Sequence, residues 1–193
     1  NIRYWNTNGG PVADYTEMFK DASGMISTYS GETGFGTSPD YTPTSTFFNF
    51  IPSLSLTFQD ASAIGSITLP IEENSGDPII FTIDWGDGTT DSLLTHDYGS
   101  VLGPFTAVVT ITGGSVTRFG LSTLSGWDGV DKLTAVATND LARWGLPGVT
   151  SFENVFRGAS KLTSVPTGIP SSVTNLEGML SNTSSFNQNI GSW

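Results

Sequence analysis

The sequence contains no cysteine, which excludes disulfides, thiolate metal sites and cysteine nucleophiles, and leaves no trace of the redox state of its compartment. A single histidine, His96, rules out multi-histidine zinc sites. Basic residues are also scarce. Seven Lys+Arg stand against 18 Asp+Glu, a net charge of −11, which repels the phosphates of nucleic acid and the anionic face of a membrane. Neither is expected as a partner. The acidic balance suits solubility and hydrated cations such as calcium. Charged residues of both signs reach only 13%, so the polar surface must come largely from hydroxyls and amides. No apolar stretch approaches the ~20 residues needed to cross a bilayer, and no basic n-region with an apolar h-region stands at the front. The chain does not begin with Met, so Asn1 is read as a cut or the edge of an ordered region, with any targeting signal or anchor expected outside it.

What the chain does have is 23 Gly, 10 Pro and long runs of Ser and Thr, a balance common in turn-rich, β-rich extracellular proteins. Residues 54–58, 66–71, 79–85, 105–113 and 115–121 are rich in β-branched and aromatic residues, and each is bounded by Gly, Pro, Asn, Asp or Ser. Five or more short strands with turns between them predict a β-sandwich of two packed sheets. Period-two alternation puts Phe81, Ile83 and Trp85 on one face and Thr82 and Asp84 on the other. Gly113-Gly114 is expected to join the last two of these strands in a tight hairpin.

The flanks carry an internal repeat. "VADYTEMFKDASGM" from Val12, "VTSFENVFRGASKL" from Val149 and "VTNLEGMLSNTSSF" from Val173 share apolar residues at the first, fourth, seventh, eighth and last positions. A small residue, Ala22, Ala159 or Thr183, precedes a shared Ser in each. The second and third copies start 24 residues apart, at Val149 and Val173, within the period range of solenoids. In a solenoid each copy is one coil that buries its apolar positions against its neighbours. "NIRYW" ending at Trp5 and "NIGSW" ending at Trp193 occupy the same phase of this repeat. A continuation past Trp193 is expected to resemble "NTNGGPVADYTEMFKDASGM", as though the 193 residues were one period of a repeating polypeptide.

"MFKDASGM", "VFRGASKL" and "MLSNTSSFNQNIGSW" resemble the repeat of BspA-like leucine-rich-repeat surface proteins, over about residues 1–25 and 133–193. The likeness is close in "SSFNQNIGSW" and looser at Val12, where "NTNGGPV" is two residues longer than the usual spacing. The central "DWGDGT" of Asp84 to Thr89, followed by His96 to Tyr98, Gly103-Pro104 and the strand from Phe105 to Ile111, is similar to the polycystic-kidney-disease (PKD) type of Ig-like sandwich. Together the resemblances imply a mainly β chain with short helices: a solenoid segment and cap over 1–50, a PKD-like sandwich over 51–125, and a junction leading into leucine-rich-repeat coils over 126–193. They also imply a bacterial, protist or phage surface protein with a role in adhesion or assembly and no enzymatic activity.

"DWGDGTTD" is the most chemical-looking stretch. Asp84, Asp87 and Asp91 around two glycines form the pattern of a turn in which Asp side chains bond backbone amides, with a calcium site as the alternative. No other cofactor is expected. His96 lacks a nucleophile motif such as "GxSxG" and is expected to pack at a strand end and donate to backbone. Glu72-Glu73 lies in a polar loop, which argues against a glycosidase pair. Trp127, Trp144 and Trp193 suit a sugar-stacking platform or, for Trp144, a core between sandwich and coils. "NTS" at Asn182 is a glycosylation sequon by pattern.

The expected function is therefore a non-enzymatic extracellular module, one period of a surface fibre or filament on a cell or virion, with further copies of the same module as head-to-tail partners. Its assembly interface is expected to use Trp5, Tyr15, Met18 and Phe19 at one end and Leu176, Met179, Leu180, Phe186 and Trp193 at the other. The alternative is an adhesin or receptor-binding module that grips a host protein or glycan.

Overall fold

A computed structural model describes residues 20–23, 26, 37–38, 51–60, 64–140 and 143–193. The chain divides into two units, Asn1–Ile51 and Pro52–Trp193. Most of the first repeat copy, with Trp5, Tyr15, Met18 and Phe19, lies outside the described residues, and the following account concerns the second unit. Among the described residues nine strands follow one another: β1 (Ser53–Phe58), β2 (Ser66–Thr68), β3 (Ile71–Glu73), β4 (Ile80–Asp84), β5 (Thr90–Asp91), β6 (Thr95–Asp97), β7 (Phe105–Gly113), β8 (Val116–Phe119) and β9 (Leu133–Thr138). Helix is almost absent among the described residues. A 3-10 helix at Val130–Lys132 leads into β9, and a helical turn in the first unit includes Ser23 and Ile26.

Alternation builds the larger sheet. β1 buries Leu54, Leu56 and Phe58 between half-open Ser53, Ser55 and Thr57, and β7 buries Ala107, Val109 and Ile111 in the same rhythm. In β4, Ile83 and the following Trp85 turn inward while Thr82 and Asp84 face out. These strands lie antiparallel in the order β5-β4-β7-β1-β9. Two short antiparallel ladders, β2-β6 and β3-β8, complete the sheets. Ile67, Ile71, Val116 and Phe119 from the ladders share one hydrophobic cluster with Leu54, Phe58, Trp85 and Val109 from the large sheet.

Three sequence expectations change. The stretch 66–71 is two strands: Pro70 has no amide to continue a ladder, so β2 pairs with β6 while β3 pairs with β8. Gly113-Gly114 makes no hairpin, because β7 pairs with β1 and β4 whereas β8 pairs with β3. The glycines carry the chain from one sheet to the other instead. Gly114, at φ 74, passes so close to the Pro78 carbonyl that a side chain there would collide with it. Finally, "LTAVAT" in the segment read as a junction forms β9, the edge strand beside β1.

After β9 the chain makes two passes, 149–172 and 173–193, that bond to one another and to the sheets in parallel. Isolated parallel bridges join Arg118 to Ser151, Ser151 to Asn175, and Ala135 to Ser164. Val149, Phe152, Val155, Phe156, Ala159 and Leu162 of the first pass are all fully buried. Trp127 and Trp144 are core as well. The Trp127 indole donates to the Val155 carbonyl at 2.7 Å and meets Phe58 edge to face. The Trp144 indole donates to Gly168 O at 2.7 Å and lies against Phe152. Neither contributes to an exposed sugar platform.

Trp85 is 0% exposed at the centre of this core. Trp85→Ala should lower the free energy of unfolding by about 3–5 kcal/mol, measured by chemical denaturation; an unchanged midpoint would refute the core assignment.

Candidate functional site

The acidic turn follows β4. Asp84 accepts the Gly86 amide at 2.9 Å, Asp87 accepts the Thr89 amide at 2.9 Å together with the Thr89 hydroxyl, and Asp91 accepts the Leu93 amide at 2.9 Å. Each aspartate thus caps the backbone two residues on, the bonding of an Asx turn. Asp91 also accepts the Trp85 indole N–H at 3.2 Å. The three carboxylates are not brought together. Among the described residues no group of three or more acidic or histidine side chains is placed to hold a metal ion.

His96 differs from its expected role. Its ring stacks on Trp85 with centroids 4.9 Å apart, meets Tyr98 edge-on at 4.6 Å, and places Nε2 2.8 Å from an Asp87 carboxylate oxygen. Its partner is therefore a side chain across the turn, because β6 presents the ring to the indole that β4 carries inward. Burial works against the charged Asp87 carboxylate, but the Thr89 hydroxyl and amide and the His96 ring outweigh it, holding the carboxyl at about 2. The Tyr98 phenol donates to Trp85 O at 2.8 Å. Burial, then the charges of Asp87 and Asp84, push its ionisation upward and keep it protonated.

The second site is the stack of passes. Its hydrogen bonds define a register wider than the repeat at Val149 and Val173. "SVTRF" (115–119), "GVTSF" (148–152) and "SVTNL" (172–176) occupy successive rungs, and so do "KLTAV" (132–136) and "KLTSV" (161–165). Thr150 N–H bonds Thr117 O at 3.1 Å, and Thr174 N–H bonds Thr150 O at 2.8 Å. On the other side Thr163 N–H bonds Thr134 O at 2.9 Å. Threonine hydroxyls repeat the backbone pattern: Thr150 donates to Thr117 O, Thr163 to Thr134 O, and Thr134 to Thr57 O. Strands β8 and β9 are thus both sheet strands and the first rung of the stack.

The amides of Phe152, Asn154, Phe156 and Gly158 donate to the carbonyls of Asn175, Glu177, Met179 and Ser181 at 2.8, 2.8, 3.1 and 2.9 Å. Gln188, which no motif singled out, completes the contact with its side chain. Its amide accepts from Val165 N–H and donates to Val165 O, both at 2.9 Å. Of the expected interface residues in the second pass, Met179 is buried against the first pass, and Leu180, Phe186 and Trp193 are half-buried on the same core. Leu176 remains 44% exposed. Trp193 donates its indole N–H to Pro166 O at 3.3 Å.

Residues 128–193 match the model of a family described as "Mycoplasma protein of unknown function, DUF285". The match covers less than half of the chain and begins just before the 3-10 helix that leads into β9. No curated protein and no solved structure matches the chain.

Two outcomes follow. A carboxyl depressed in the folded state adds stability above its unfolded value and loses it as pH falls through the folded one. Between pH 3.8 and about 2 the melting temperature of the parent chain should therefore fall more steeply than that of Asp87→Asn, and parallel acid titrations would discount the role given to Asp87. Gln188→Ala strands both backbone groups of Val165, so urea unfolding should show a loss of about 1–3 kcal/mol, whereas Asn187→Ala, one residue away and exposed, should change little.

Proposed function

We propose that the chain is a non-enzymatic extracellular structural module, one period of a surface fibre or filament, in which a PKD-like sandwich carries leucine-rich-repeat-type solenoid coils of the BspA-like kind. The observation that supports this reading is the hydrogen-bonded register running without interruption from β8 through Ser151 to Asn175, and from β9 to Ser164. A sandwich whose own strands are the first rung of a coil stack transmits load through backbone hydrogen bonds and packed side chains in place of a flexible linker. The match of residues 128–193 to a mycoplasma family is in keeping with a surface repeat protein. Among the described residues no helix is long and apolar enough to cross a membrane, and the acidic charge of −11 favours a hydrated surface setting.

Negative-stain electron microscopy of the concentrated chain should show filaments with a regular axial repeat, and antibodies against it should label intact, unpermeabilised source cells or virions. A chain that forms no filament at any concentration yet binds a host protein or glycan is an adhesin, and the structural reading fails.

A further inference from the structure

Asp77-Pro78 is the single Asp-Pro pair in the sequence, and it lies in the exposed turn between β3 and β4. The nitrogen of this bond belongs to the proline ring and carries no hydrogen, so the bond is a tertiary amide. Such a nitrogen is more basic than that of an ordinary peptide and leaves more readily once protonated. Aspartate on the carbonyl side adds a nucleophile: attack by its own carboxylate oxygen on the main-chain carbonyl carbon closes a five-membered ring. The fold fixes the backbone on both sides of the bond. Asp77 N–H donates to Asn74 O at 2.9 Å, and the carbonyl of the bond itself, Asp77 O, accepts the Ser115 amide at 3.1 Å. Beyond the bond, Ile79 N–H donates to a Glu73 carboxylate oxygen at 3.1 Å, and Gly114 lies so close that a Cβ there would collide with the Pro78 carbonyl. The Asp77 carboxylate makes no hydrogen bond or ion pair among the described residues. A nucleophile with no other partner thus stands beside a clamped carbonyl that already holds a donor.

We propose that the folded chain cleaves its own Asp77-Pro78 bond. The Asp77 carboxylate attacks the Asp77 carbonyl carbon, and the Ser115 N–H, already on that carbonyl oxygen, stabilises the negative charge that develops there. The C–N bond then breaks. Its electron pair goes to the Pro78 nitrogen, which takes a proton from solvent and becomes a secondary amine. Residue 77 is left as a cyclic anhydride, and one water molecule opens it to restore the side-chain carboxyl and create a new main-chain carboxyl. The net reaction is hydrolysis of one peptide bond and needs no oxidant or cofactor. It is a single turnover at the chain's own bond and leaves the non-enzymatic reading intact. The module survives the break. Strands β1, β2 and β3 precede it, and their partners β7, β9, β6 and β8 all follow it. Every ladder of the first piece therefore crosses the cut and holds the two pieces together.

Purified chain incubated at about pH 5, where protons for the leaving nitrogen are plentiful, should split into residues 1–77 and 78–193. Denaturing electrophoresis and mass spectrometry should show the two pieces, while gel filtration under native conditions gives one species of unchanged size. The same chain unfolded in urea at that pH loses the Ser115 donor and should cleave at least about tenfold more slowly. Asp77→Asn should remove nearly all of the split, and Pro78→Ala should slow it strongly. Both residues are exposed, so each variant should melt close to the parent, which separates loss of chemistry from loss of fold. In heavy-oxygen water the label should enter both carboxyls of Asp77, because water opens an anhydride at either carbonyl; direct hydrolysis labels only the new main-chain carboxyl. A folded chain that stays intact, that cleaves no faster than the unfolded one, that cleaves at the parent rate as Asp77→Asn, or that carries label in the main-chain carboxyl alone would overturn the proposal.

Discussion

The structure of the second unit depends on what happens to two sheet edges. β8 and β9 each pair on one side within an antiparallel sheet, and each would otherwise present open amides and carbonyls on the other. An exposed edge of this kind pairs with whatever chain reaches it. Here the covering chain is the next part of the same polypeptide, arriving parallel: Ser151 against Arg118 and Ser164 against Ala135. Parallel pairing needs a crossover, and the loop from β9 to Val149 supplies it, held by Trp144. That indole is buried at 0% exposure, with its N–H spent on the Gly168 carbonyl. One edge problem thereby becomes the template for the repeat.

Tight stacking restricts which residues can stand at the bends. Asn154 and Gly178 occupy equivalent positions at φ 53 and φ 63, the left-handed region that Asn and Gly tolerate best. Asn154 reaches back with its side chain to donate to Leu121 O at 3.1 Å. A side chain at Gly178 would run into that same Asn154 amide, so the bend position alternates between a residue that bonds to the previous rung and one that makes room for the bond. Gly120, one position before the equivalent bend in the preceding rung, is tight for a different reason: a Cβ there would meet the Glu153 carbonyl. Polar atoms in this stack are satisfied mostly by carbonyls of the neighbouring rung, which explains why a chain so poor in charge can still hold so many buried backbone groups.

Much of the fold is legible in the sequence because strands with one buried face write their period into it. "LSLTF", "FTIDW" and "FTAVVTITG" are read correctly as β1, β4 and β7, and Trp85 as an inward residue. The repeat at Val149 and Val173 is legible for the same reason. What escapes is pairing. Nothing local says that β8 leaves β7 for β3, since Gly113-Gly114 reads equally as a hairpin or as a crossing between sheets. "SVTRF" and "KLTAV" look like ordinary strand sequences until placed under "GVTSF" and "KLTSV". Their rungs are 33 and 29 residues from the next in place of 24, so they do not fall on one fixed period. The acidic turn shows a different limit: the spacing of Asp84, Asp87 and Asp91 is shared by ligand loops and Asx turns, and only the direction of each carboxylate separates them. His96 is likewise ambiguous, because its stacking joins a residue of β6 to Trp85, which follows β4.

Placing the first rung inside an antiparallel sheet also answers a problem of energetics that any coil stack faces. Ordering a backbone residue costs about 1–2 kcal/mol, and a lone coil recovers little of that, since its apolar stripe has nothing to pack on and its amides nothing to bond. β8 and β9 are held by β3 and β1 and by the core around Phe58 and Phe119. The pass 149–172 bonds to both of these strands and packs on the same apolar surface. The pass 173–193 bonds to the first in the same way. Each pass thus rests on the one before it, and the antiparallel sheets supply the first rung.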